Sequence, residues 1–178
     1  MAERTGSLWM HRALFLALAA GLAFVQLLPL ATGMGEIPGP DVFVLMAFAW
    51  MLRRPDYVPV AMLAGVFLTL DLLFMRPPGL WAALVVLGAE YLRARAGAMR
   101  ETGFVAEWLM VSGIVAAMVL ADRLALAVFF VDQPSLGQTL LRLIITCACY
   151  PVVVALAARA LGLRKVAPGE VNSLGRRI

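Results

Sequence analysis

Charge is scarce in this chain, and the residues that carry most catalytic chemistry are scarcer still. Of 178 residues only 15% are charged, one is histidine and two are cysteine. The lone histidine, His11, precedes the first apolar run. It does not supply a histidine metal centre or a His-based catalytic triad within the apolar body. No glycine-rich loop followed by Lys and Ser or Thr is present to cradle a phosphate. Cys147 and Cys149 lie inside the last apolar stretch, flanked by Thr146, Ala148 and Tyr150. They read as small buried residues rather than a disulfide or metal pair. No cofactor is expected, and no enzyme activity.

What fills the chain is hydrocarbon. Hydrophobic residues make up 63% of it and the mean hydropathy is +0.91. A soluble domain of this size could not keep that much apolar surface from water. The expected fold is an all-α integral membrane protein, a single bundle of six transmembrane helices. These are expected over residues 13–33, 38–53, 57–75, 79–92, 104–131 and 136–162, with a polar tail at 163–178. Arg4, His11 and Arg12 ahead of the first run resemble the start of a secretory signal. The run itself, about 20 residues, suits a hydrocarbon core of ~30 Å and is read as an uncleaved helix. The second helix is short on strictly apolar residues, which run only from about Val42 to Leu52.

The fifteen basic residues are distributed asymmetrically. All except Arg76, Arg123 and Arg142 fall at the N-terminus, after the second and fourth helices, or near the C-terminus. Basic loops stay in the cytoplasm, so both termini are expected there, in a multi-pass protein of the bacterial cytoplasmic membrane. The net charge of +4 thus reports topology and contact with anionic membrane lipid, and no nucleic-acid partner.

Ionisable groups within spans cost roughly 2.5–3.5 kcal/mol each at mid-helix and call for an explanation. Counting at ~1.5 Å per residue places Gln26, Asp71, Asp122, Arg123 and Arg142 at a similar depth, in the outer half. Two readings fit. Asp71 or Asp122 pairs with Arg142 or Arg123 to fix helix register, or the cluster forms a polar crevice open to the outer face. Glu90 is expected to pair locally with Arg93, and Glu107 and Trp108 to sit at the inner interface. Small residues form two stripes, Ala13, Ala17 and Gly21 on the first helix and Gly113, Ala117 and Ala121 on the fifth. Such stripes serve bundle packing or the docking of another membrane protein. An intramembrane aspartyl protease is disfavoured. Asp122-Arg123 is similar to the pair in lipoprotein signal peptidases, but Val119 stands where those have Asn.

The segment from Pro40 to Tyr91 resembles MreD, the small membrane subunit of the bacterial rod-shape system. Pro40 opens the second helix, Trp50 and Arg54-Pro55 close it, and Gly65, Asp71 and Gly79 follow with the family's Gly…Asp…Gly spacing. The resemblance implies a non-enzymatic scaffold that partners an MreC-like bitopic protein. Through that partner it would link MreB filaments to the RodA glycosyltransferase and its transpeptidase, directing lateral peptidoglycan synthesis and cell shape. The competing expectation is the substrate-binding membrane subunit of a vitamin transporter, also a six-helix protein of this size.

Overall fold

The computed structural model describes residues 2–28, 38–100 and 102–160. Among them the chain forms six α-helices and no strand: α1 (Ala2–Leu27), α2 (Val42–Arg53), α3 (Val60–Leu73), α4 (Leu80–Arg95), α5 (Phe104–Val128) and α6 (Leu136–Ala160). Two 3₁₀ turns, Pro55–Tyr57 and Ala98–Arg100, close the connections after α2 and α4. Stretches within α1, α5 and α6 are long and apolar enough to cross a membrane: Leu8–Leu27, Phe104–Val128 and Leu136–Arg159. That is the signature of a multi-pass membrane protein. The outward faces agree, for Leu68, Leu87, Leu109, Leu124, Ile144 and Leu156 are all exposed.

The shortest helix is the centre of the molecule. Every residue of α2 from Phe43 to Arg53 is buried. A helix that is apolar all round belongs in an interior, and here α4 and α6 pack against it. Its shortness follows, because a helix that meets no lipid need not match the bilayer thickness. By contrast α3 is equally apolar but buries only Leu63, Phe67, Leu70 and Asp71, leaving most of its surface outside. At the edge, α1 rests on the Pro55–Tyr57 turn and α3. Phe15 meets Trp50 edge-on at 5.3 Å between ring centroids, and His11 stacks on Tyr57 at 4.3 Å.

Helix ends depart from the sequence expectation where backbone chemistry dictates it. Pro59 keeps Val58 out of the helical region (φ −122°), so α3 begins at Val60 rather than at residue 57. It also ends early, with Met75 left-handed at φ 54°. The Arg76 N–H donates to the Asp71 carbonyl at 2.9 Å, and Met75 N–H to the Leu72 carbonyl at 3.4 Å. This is the Schellman arrangement, normally completed by glycine. Phe130 (φ 52°) ends α5 the same way, three residues before the expected limit of 131. In the other direction α1 starts at Ala2, well before residue 13, and α4 runs on to Arg95. The expected end of the first helix at 33 and the tail at 163–178 lie outside the described residues.

Candidate functional site

At one end of the bundle the N-termini of α2, α4 and α6 meet the C-terminus of α5 around a pocket of about 400 Å³. Asp41 organises it. Its Oδ1 accepts the Val44 N–H at 3.3 Å and so caps α2, while its own N–H donates to Thr146 Oγ1 at 3.0 Å. Oδ2 faces two cations, Arg142 Nη2 at 3.3 Å and Arg76 Nη1 at 4.0 Å. Arg76 also lies over the rings of Phe74 and Trp81, with centroid distances of 5.7 and 5.9 Å. From α5, Arg123 donates through Nη1 to Thr139 Oγ1 at 2.6 Å and to the Pro134 carbonyl at 3.1 Å. Asp122 lines the same cavity within electrostatic reach of Arg76, Arg142 and Arg123.

Three of the five predicted cluster residues, Asp122, Arg123 and Arg142, therefore converge on this pocket. The pairing differs from expectation: the partner of Arg142 is Asp41, at the start of the expected second helix and outside the expected cluster. Gln26 does not join them; it is exposed on the peripheral α1. Asp71 lies close by, near enough to Asp122 for their charges to interact, but it does not line the cavity. Its carboxylate is 0% exposed and holds the start of α4. Oδ2 accepts the N–H groups of Gly79 and Ala82, each at 3.1 Å. Gly79 is the N-cap of α4 in the left-handed region (φ 88°), a conformation glycine adopts freely but with no side chain to cap the helix. Asp71 supplies the missing oxygen from a neighbouring helix, reaching the same third-residue N–H that a local cap would.

A second polar layer lies towards the other end. Arg53 of α2 and Glu107 of α5 form an ion pair at 3.0 Å with side chains 5% and 0% exposed. The Tyr150 hydroxyl of α6 donates to the same Glu107 oxygen at 2.7 Å, and Arg53 Nη1 also donates to the Ala49 carbonyl. The sequence puts Arg53 at the end of the second helix and Glu107 at the inner interface; the structure buries both side chains between helices. Trp108 has a partner within the bundle. Pro151 sits within α6 and has no N–H to give the Cys147 carbonyl four residues earlier. The Trp108 indole donates to that carbonyl at 2.8 Å. The Glu90–Arg93 pair forms as expected, at 3.3 Å, while Arg93 also reaches the Val58 carbonyl.

The small-residue stripes do not pack within the bundle. Ala13, Ala17, Gly21, Gly113 and Ala117 are exposed, and Ala121 is half-buried. A methyl group added at Gly21, Gly65 or Gly113 would meet nothing within 4 Å. The glycine that does permit close approach is Gly88 of α4, whose added Cβ would stand 3.0 Å from Phe48, Ile114 and Met118 side chains. Of the other family-like positions, Pro40 precedes the Asp41 cap, Trp50 is fully buried in α2, and Pro55 opens the 3₁₀ turn.

Neither a protein-family model, nor a curated protein, nor a solved structure matches this chain. Chemically, the pocket offers three guanidinium groups, two carboxylates and an apolar wall, an arrangement suited to recognition of an amphipathic partner or ligand.

Proposed function

We propose that this chain is a non-enzymatic scaffold subunit of a bacterial rod-shape complex. All six helices traverse the cytoplasmic membrane, with both termini in the cytoplasm and the Asp41–Arg142 pocket facing outward. The short α2 crosses within a protein sheath, and the Arg53–Glu107 layer lies on the cytoplasmic side. The partner is an MreC-like bitopic protein, through which MreB filaments are coupled to RodA, its transpeptidase and lateral wall synthesis.

The observation that carries this reading is the tie between Asp71 and Gly79. These are two members of the Gly…Asp…Gly run that contributes to the resemblance to MreD, and one carboxylate oxygen joins them across α3 and α4. The described chain is also almost entirely helical bundle, so partners are met within the bilayer or by short loops. Depletion in the native bacterium, with imaging of cell width, tests the proposal. Rounding or widening that wild-type protein reverses and Asp71→Leu does not is the expected result; unchanged shape overturns it.

One observation favours the second reading, a substrate-binding subunit of a vitamin transporter: the pocket is large enough for a small molecule. Among the described residues Trp81 is the single aromatic of its wall, which gives a ring system little to stack on. A growth defect cured by one added vitamin, with normal cell shape, selects that reading instead.

A further inference from the structure

The pocket at the Asp41 end carries an excess of both charge and hydrogen-bond donors. Among the described lining residues three guanidiniums, Arg76, Arg123 and Arg142, face two carboxylates, Asp41 and Asp122, one positive charge more, while the nearby Asp71 carboxylate is committed to the start of α4. A guanidinium has five N–H donors. The polar contacts to Asp41, Thr139 and Pro134 engage one terminal nitrogen of each. Asp122 accepts no hydrogen bond from the described residues. Much of the remaining wall is apolar, with Val115, Val119, Leu126 and Leu143, and Gln133 and Gln138 add amides at its α6 side. Beyond it α5 and α6 expose Leu120, Leu124, Val128, Leu140 and Ile144.

A phosphodiester matches this lining. It carries one negative charge and several acceptor oxygens, which guanidiniums engage in forked pairs. Hydroxyl groups attached to it would give Asp122 donors, and an acyl chain leaving the pocket would meet apolar helix faces. We propose that the pocket binds the headgroup of an anionic phospholipid, its phosphodiester on Arg76, Arg123 and Arg142 and its hydroxyls on Asp122. This rests on the membrane setting of the proposed function and not on the rod-shape role.

The test uses the full chain, delipidated in detergent and titrated with phosphatidylglycerol, phosphatidylethanolamine or inorganic phosphate. Native mass spectrometry counts the molecules bound. One phosphatidylglycerol per chain is expected, weakened about ten-fold or more by Arg142→Gln or Arg76→Gln, as befits loss of a charge-assisted contact. Val119→Trp fills the apolar wall, leaves all five charges in place and should also expel the lipid. It carries the test if the arginine variants fail to accumulate. Arg95→Gln, at the far end of α4, should bind as wild type does. Retention undiminished in Val119→Trp overturns the proposal. So does a preference for phosphatidylethanolamine, equal competition by inorganic phosphate, or a co-purifying polypeptide in place of lipid. Cell-shape complementation is read separately, so either idea can fail alone.

Discussion

Replacing Glu107 by Leu removes the carboxylate that Arg53 and Tyr150 share at 3.0 and 2.7 Å in a fully buried site. Arg53 cannot shed its proton, so the change strands a cation that is only 5% exposed. Breaking one partner of a buried pair costs about 3–5 kcal/mol. Arg53→Met strands the carboxylate instead and should cost a similar amount. The double variant Arg53→Met/Glu107→Leu leaves neither charge, and such apolar replacements of comparable volume are often neutral or stabilising. The Tyr150 hydroxyl then lacks its carboxylate, an expense of about 1–3 kcal/mol. The double variant should therefore be more stable than either single one, with a coupling of at least about 2 kcal/mol. Thermal unfolding of all four proteins in one detergent measures this. Additive losses, with the double variant the least stable, would refute the reasoning, since they would mean that the two charges stand independently in solvent.

Three further changes probe other contacts. Asp71→Leu should cost about 2–4 kcal/mol by orphaning two N–H groups at the start of α4, while Asp71→Asn keeps an acceptor and loses less; equal unfolding temperatures would count against the cap. Gly88→Ala should destabilise by about 1–3 kcal/mol, because its methyl group meets three side chains at 3.0 Å, whereas Gly65→Ala on the exposed face of α3 should gain up to ~1 kcal/mol; the reverse ranking by thermal unfolding would refute the packing argument. Trp108→Phe should cost about 1–3 kcal/mol by leaving the Cys147 carbonyl unpaired, and Pro151→Ala should recover part of it by restoring the helical N–H; no recovery on the same melting curve would separate the indole from the proline.

The legible part of this molecule was its periodicity and its punctuation. Apolar runs separated by Pro, Gly and Arg gave the number and order of helices, and helical rise placed Asp122, Arg123 and Arg142 at one level. What resisted reading was direction. Depth along a helix does not say which way a side chain points, so Gln26, at a similar depth, faces outward on α1 and the stripe Ala13, Ala17, Gly21 is exposed. Likewise Asp41, Arg53 and Glu107 fall at helix ends, where a charge is ordinarily solvated. Nothing local reveals that neighbouring helices bury them. Trp108 held a usable signal: a proline within a span frees a carbonyl, and an indole on an adjacent helix is one donor able to meet it.

The two polar layers solve a problem that the central helix creates. An interior helix that is apolar on all sides has no distinct greasy stripe to set its rotation or axial position, since every orientation buries the same kind of surface. Directional bonds at both ends of α2 remove that freedom, Asp41 to Thr146 and Arg142 at the start and Arg53 to Glu107 at the finish. The signs are favourable too, with the acid at the positive end of the helix dipole and the base at the negative end. Register and stability should therefore come apart in the Arg53→Met/Glu107→Leu protein. It should fold with much of its stability but let α2 turn or slide against α6. Cysteines introduced in pairs, one on α2 and one on α6, measure this by their disulfide yields. Wild-type α2 should cross-link at one register, and the double variant should spread its yield over neighbouring positions. An unchanged pattern would show that packing alone aligns the helix and that the buried pair has no part in its register.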